Sequence, residues 1–126
     1  MADVLEEWMV LHMYSHVACK EKFHVVCCTK PKQLAFLINS NLTDFVKKNP
    51  LLVACNALIA ADAHDFLKYD SYVACCEPVS LAFIDEQAYD VVGSINDTAK
   101  NSIINAVTVS PSLVSRQKAW ILEALG

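Results

Sequence analysis

FHVVCCTKPKQLAFLI, from Phe23 to Ile38, is the stretch on which the fold turns. Phe23-His24-Val25-Val26-Cys27-Cys28 is short, β-branched and aromatic, as strands are. It ends at Thr29-Lys30-Pro31-Lys32, where a proline flanked by lysines marks a turn. Leu34-Ala35-Phe36-Leu37-Ile38 begins directly beyond it, so the two runs are expected to pair as a hairpin. Towards the N-terminus, Asp3 with Glu6 forms a capping-box pattern, and Val4, Leu5, Trp8 and Met9 gather on one helical face. From Val10 the pattern becomes that of a strand.

Asn39-Ser40-Asn41 breaks the apolar run on the other side of the hairpin. Thr43 or Asn41 is placed to cap a helical turn through Asp44 to Lys48, which Asn49-Pro50 stops. Leu51 to Leu58 reads as the next strand, and His64 to Tyr69 connects it to a further strand, Asp70 to Cys76, that Glu77-Pro78 ends. Val79 to Ile84 resumes extended chain. The last third changes character: Ser94 with Asp97 is a helix-start signal, and Ala99, Ile103, Ile104 and Val107 recur at helical spacing. A second helix is expected from Ser110-Pro111 through Trp120, Ile121 and Leu125. A β-rich front, about residues 9 to 95, and a helical back, about 95 to 125, make an α+β chain. At 126 residues it is long enough for one core and too short for two, so 1–126 reads as a single domain.

Composition narrows the function. The chain has only two glycines, Gly93 and Gly126, so phosphate loops and dinucleotide fingerprints have no basis in it. H-E-x-x-H and G-x-S-x-G are absent as well. No apolar run approaches the roughly 18 to 20 residues of a membrane span, and the acidic start, Asp3 to Glu7, is not that of a secretory signal. A cytoplasmic protein is expected. Of the six cysteines, Cys27-Cys28 and Cys75-Cys76 are vicinal pairs while Cys19 and Cys55 stand alone, and no C-x-x-C occurs. These spacings match neither a secreted disulfide scaffold nor a zinc site, so buried free thiols are expected, with one member of each vicinal pair facing the core.

Net charge is −4, which excludes a surface that is uniformly a nucleic-acid landing field. Lys20, Lys22, Lys30 and Lys32, with Glu21 and His24 among them, nevertheless form a local basic patch. It reads either as a phosphate-binding region or as lysines guarding a strand edge. His24 and His64 are lone histidines, each open to proton transfer or to packing. His64-Asp65 point to opposite faces if extended. Asp70 and Ser71 read better as a hydrogen-bonded strand start than as a catalytic couple.

Three segments carry a resemblance: Phe36-Leu37-Ile38-Asn39-Ser40, the run Leu51 to Leu58, and His64 to Val73 with its Lys68-Tyr69-Asp70-Ser71-Tyr72-Val73 step. Together with Ala88 to Ile95 before a helix, they resemble the PemK/MazF-like toxins over roughly residues 20 to 107. The resemblance implies an SH3-like β-barrel with appended helices. It also implies metal-independent cleavage of single-stranded RNA, without a cofactor, by a prokaryotic toxin with an antitoxin partner, commonly as a homodimer. Ser40 falls at the family's hydroxyl position. No arginine matches the family's: the only one is Arg116, and Lys20, Lys22, Lys30 and Lys32 occupy the relevant region. The implied site is therefore Ser40, with His24 or His64 for proton transfer and the four lysines on RNA. The alternative implied by the missing arginine is an inactive barrel that binds protein or nucleic acid. An unrelated α+β domain is a third reading.

Overall fold

A computed structural model describes residues 4–82, 84 and 87–126. Strand β1 (Met9–Ser15) pairs with β2 (Lys20–Cys28), and β2 pairs with β3 (Leu34–Asn39) in the hairpin that the sequence leads one to expect. Its register sets Val25 opposite Phe36 and Val26 opposite Ala35, and its turn contains a cis Lys30–Pro31 peptide. Short helices α1 (Asp44–Lys47) and α2 (Pro50–Ala54) lead to β4 (Asn56–Ile59). There follow a 3-10 turn (Ala61–Ala63), β5 (Ser71–Ala74), β6 (Val79–Ser80), β7 (Tyr89–Ser94), α3 (Asp97–Val109) and α4 (Ser115–Leu125). Among the described residues, seven strands form one antiparallel sheet in the order β4-β5-β3-β2-β1-β7, with β6 beside the start of β3. The sheet is open: β4 and β7 are its two ends.

Several boundaries differ from those expected, each for a local reason. Leu51 to Leu58 is not one strand, because Pro50, which lies just past the end of α1 as expected, also starts α2. Its missing N–H costs nothing in a first turn, and the Asn49 side chain caps Leu51 N at 3.2 Å. Short apolar runs do not distinguish strand from helix by pattern alone. Helix α3 is capped by Asn96, whose Oδ1 accepts from Ala99 N at 2.8 Å, and not by Ser94, which ends β7. Helix α4 starts at Ser115, four residues beyond Pro111, after an extended Ser110. Only Val79–Ser80 of the 79–84 segment is strand, and Phe83 lies outside the described residues. The expected cap Asp3 also lies outside them. From Val4 to Trp8 no helix forms, and Trp8 takes a left-handed backbone (φ 75°) held between Val26 O and Ile95 N. A bulky residue adopts that conformation only under such tertiary restraint.

Both faces of the sheet are covered. Val10, Val25, Phe36 and Val73 face Ile103, Val107 and Ile121 of the two long helices. Leu11, Val26 and Ala35 form a smaller core with Leu5, Leu81 and Ile84. Cys27 and Cys28 are both fully buried in the main core, where one was expected to face outwards, because the β2–β3 register shifts between Val26 and Cys28 and breaks the alternation there. Burial pushes the Cys27 thiol well up, and that of Cys75 to about 12, so both are inert.

Cys55 and Cys76, expected as free thiols, are joined in a disulfide with a Cα–Cα distance of 5.7 Å. The sequence hides this pairing because Cys55 and Cys76 are brought together only by the turn from α2 into β4 and the pairing of β4 with β5. The bond closes a loop across a sequence separation of 21 residues. Restricting an unfolded chain to such a loop stabilises the fold by about 3 kcal/mol. Urea unfolding with and without dithiothreitol is expected to differ by that amount, and the double change Cys55→Ala/Cys76→Ala should reproduce the loss. Identical midpoints under both conditions would show that the pair contributes nothing.

Candidate functional site

One groove concentrates the chemistry. It has a volume of about 400 Å³ and lies where β1, β2, the end of β3 and the loop before β5 meet. Strand β2 contributes Lys20, Glu21, Lys22 and Phe23, β1 contributes His12, and the chain just past β3 contributes Ser40. Phe66, Leu67, Lys68 and Tyr69 form the opposite wall, with Ser71 at the start of β5.

The geometry follows from strand register. His12 lies opposite Phe23 in the β1–β2 ladder, which brings the two rings to a centroid distance of 5.1 Å. Phe66 packs against Phe23 at 5.4 Å, so Phe23 touches a ring from each wall of the groove. Phe66 rests over Gly93 of β7. A Cβ added there would lie 3.1 Å from its Cδ1, and glycine alone lets the ring sit this low without displacement. His12 and Asp65 also line an adjoining hollow with Val92.

Three lysines against one glutamate make the groove locally cationic on an acidic protein. Among the described residues, the only ion pair joins Lys100 to Asp97, so none of the groove lysines is neutralised by a described carboxylate. The Lys22 ammonium donates to Asn39 Oδ1 at 2.6 Å. Burial, and secondarily the charge of Lys20, lowers its pKa. An anion entering the groove relieves both penalties, because it replaces lost hydration and screens the two ammonium groups from each other.

The structure separates the residues singled out from sequence. Ser40, Lys20 and Lys22 come together in the groove. Lys30 and Lys32 are exposed at the β2–β3 turn, at the far end of β2 from Lys20, and do not line it. At about 3.3 Å per residue, roughly 30 Å of chain separates Lys20 from Lys30. His24 is buried, its Nδ1 donating to Lys22 O at 3.0 Å. Burial is the main cause of its lowered pKa, which keeps the ring neutral. His64 is buried as well, with both ring nitrogens engaged: Nδ1 with Ala60 O at 2.8 Å and Nε2 with Asn96 N at 3.1 Å. Neither histidine lines the groove. Asp70 accepts from Ala61 N and the Ser71 hydroxyl donates to Tyr69 O, both at 2.8 Å, so this pair builds the strand start.

His12, Phe23, Phe66, Lys68 and Tyr69 escaped the sequence reading as site residues. Only the β1–β2 register and the fold of the 64–70 loop bring them together, and nothing local to each residue announces it. Arg116 is on α4, stacked 5.2 Å from the Trp120 ring, and does not line the groove. Among the described residues, no cluster of histidine, cysteine and carboxylate side chains is arranged to hold a metal ion. No helix among them is long and apolar enough to cross a membrane. The sequence matches no family model and no curated protein.

Proposed function

We propose that this chain is a diverged relative of the PemK/MazF-like toxins that binds single-stranded RNA in the groove and cleaves it without a metal ion. The observation that carries this reading is the convergence of Lys20, Lys22 and Lys68 with Phe23, Phe66 and Tyr69 in one groove of an otherwise acidic protein. Lysines bind phosphate, aromatic faces stack on unpaired bases, and both together suit a single strand better than a duplex. In this reading the open sheet is an SH3-like barrel parted between β4 and β7.

Cleavage needs a group to remove the 2′-hydroxyl proton, cations to offset charge on the phosphate as the 2′-oxygen attacks, and a proton for the departing 5′-oxygen. His12 takes the proton-transfer role first assigned to His24 or His64, since it faces the groove and they do not. Lys22 and Lys20 offset the phosphate charge, Ser40 donates its hydroxyl to a phosphate oxygen, and solvent water protonates the departing 5′-oxygen while His12 passes the 2′-hydroxyl proton back to solvent. The products are a 2′,3′-cyclic phosphate and a 5′-hydroxyl. An antitoxin partner, a homodimer and a cytoplasmic setting belong to the same reading; the Cys55–Cys76 disulfide is the observation that weighs against the last.

Purified protein is expected to cut a mixed-sequence single-stranded RNA pool in EDTA and to leave cyclic phosphate ends. His12→Ala and Ser40→Ala should each lower the rate by about 10² or more. No cleavage across the pool, with salt-sensitive binding retained, would reduce the proposal to its binding half. The position of Arg116 on Trp120 favours that second reading, because a lysine lacks the planar fork that grips two phosphate oxygens at once.

A further inference from the structure

The wall formed by Phe66 to Tyr69 belongs to a loop without regular secondary structure between His64 and Asp70. Most of its polar contacts are internal to the β4–β5 connection: Leu67 N to His64 O, Ala61 N to Asp70, and Ser71 to Tyr69 O. The His64 ring is different. Its Nε2 crosses to the backbone N–H of Asn96, 32 positions along the chain, while Nδ1 holds Ala60 O.

Asn96 is the N-cap of α3, and an N-cap N–H has no partner within its own helix. In a capping box, a glutamate or glutamine at the third helical position reaches back to satisfy it. Here that position is Ala99, which has no side chain able to do so. His64 supplies the missing acceptor from another element. The partners also dictate the tautomer: a carbonyl opposite Nδ1 requires a proton there, and an N–H opposite Nε2 requires a lone pair. A second ring proton would set two donors against each other.

We infer that His64 is a positioning residue for the groove: its neutral, Nδ1-protonated ring clamps the Phe66–Tyr69 wall to the N-terminus of α3. The ring also meets Phe66 edge-on, with centroids 5.6 Å apart, so the clamp reaches an aromatic ring of the groove directly. This inference rests on the groove being the RNA site, but the clamp itself is testable without RNA.

Ring-nitrogen NMR of the intact protein is expected to show His64 protonated at Nδ1 and not at Nε2, and the Asn96 amide should be protected from exchange. His64→Ala should speed Asn96 exchange by about tenfold, shift the amide signals of Phe66 to Tyr69, and weaken binding of a single-stranded RNA pool by about tenfold. His64→Gln keeps an acceptor and should recover most of each loss. Because the lysines are untouched, the salt dependence of binding should not change in either variant. A proton on Nε2, an unprotected Asn96 amide, or equal behaviour of the Ala and Gln variants overturns the clamp. If His64→Ala does not fold, the wild-type tautomer and the Gln variant still decide. If the wild-type protein binds no RNA while the NMR signatures hold, the RNA reading fails and the clamp stands.

Discussion

Replacing Lys20, Lys22 and Lys68 together by glutamate is expected to weaken binding of single-stranded RNA by at least about 100-fold at moderate salt. Each lysine on a phosphate releases counterions, so the plot of log K against log salt should flatten by roughly 0.7 per lysine removed, or about 2 for the three. Reversal of the charges adds repulsion to the loss. The charge-matched control for the pair Lys20→Glu/Lys22→Glu is Lys30→Glu/Lys32→Glu at the β2–β3 turn. Those side chains lie outside the groove and several screening lengths of chain away, so binding should fall by less than about threefold. Equal losses in the two variants would mean that RNA reads the overall charge of the protein and not this groove. The comparison therefore tests the partition of one sequence-level basic patch into a working half and a bystander half.

Phe36→Ala is expected to destabilise the fold by about 3–5 kcal/mol, measured as a fall in urea midpoint at unchanged slope. Phe36 has no exposed surface, sits opposite Val25 on β3, and faces the long helices within the main core. Truncation removes the transfer energy of the ring and leaves a cavity that the paired strands on both sides cannot close. For a domain whose total stability is about 5–15 kcal/mol, that is a large share. Phe45→Ala is the contrast: on α1 the side chain is 74% exposed, so the change should stay within about 0.5 kcal/mol. Similar effects for the two would contradict the packing described above.

The hairpin from Phe23 to Ile38 was legible because its information is local: β-branched and aromatic runs, a proline turn and a length suited to strands. The α+β class and the two terminal helices were legible for the same reason, since Ile103, Val107, Ile121 and Leu125 repeat at helical spacing. Where local signals compete, residue pattern alone does not decide between them. Pro50 follows the end of α1 and also opens α2, and the neighbouring Asn49 cap turns the run after it towards helix. Ser94 and Asn96 are both good caps, and β7 takes the first for its own ladder with β1, pairing Ser94 with Met9.

The site was legible in kind but not in membership. Lysines near residues 20 to 32 and the hydroxyl of Ser40 stood out, and the structure gathers Ser40, Lys20 and Lys22. His24 was out of reach because a histidine in a strand gives no sign of which face will be covered. Here both are, and its ring lies within the sheet's interior. His12 was missed by the same ambiguity, since what makes it a groove residue is its place opposite Phe23.

The sequence by itself determined the class of the fold, the strand-turn-strand unit at its centre and the two helices behind it. These depend on periodicity and on backbone conformations that each residue type favours within a few neighbours. Only the tertiary structure decided that the sheet stays open, that Cys55 meets Cys76, and that His12 rather than His24 faces the groove. It alone decided that His64 completes the cap of α3 from 32 residues away. Those outcomes rest on register and on packing between distant segments, which residue spacing does not encode.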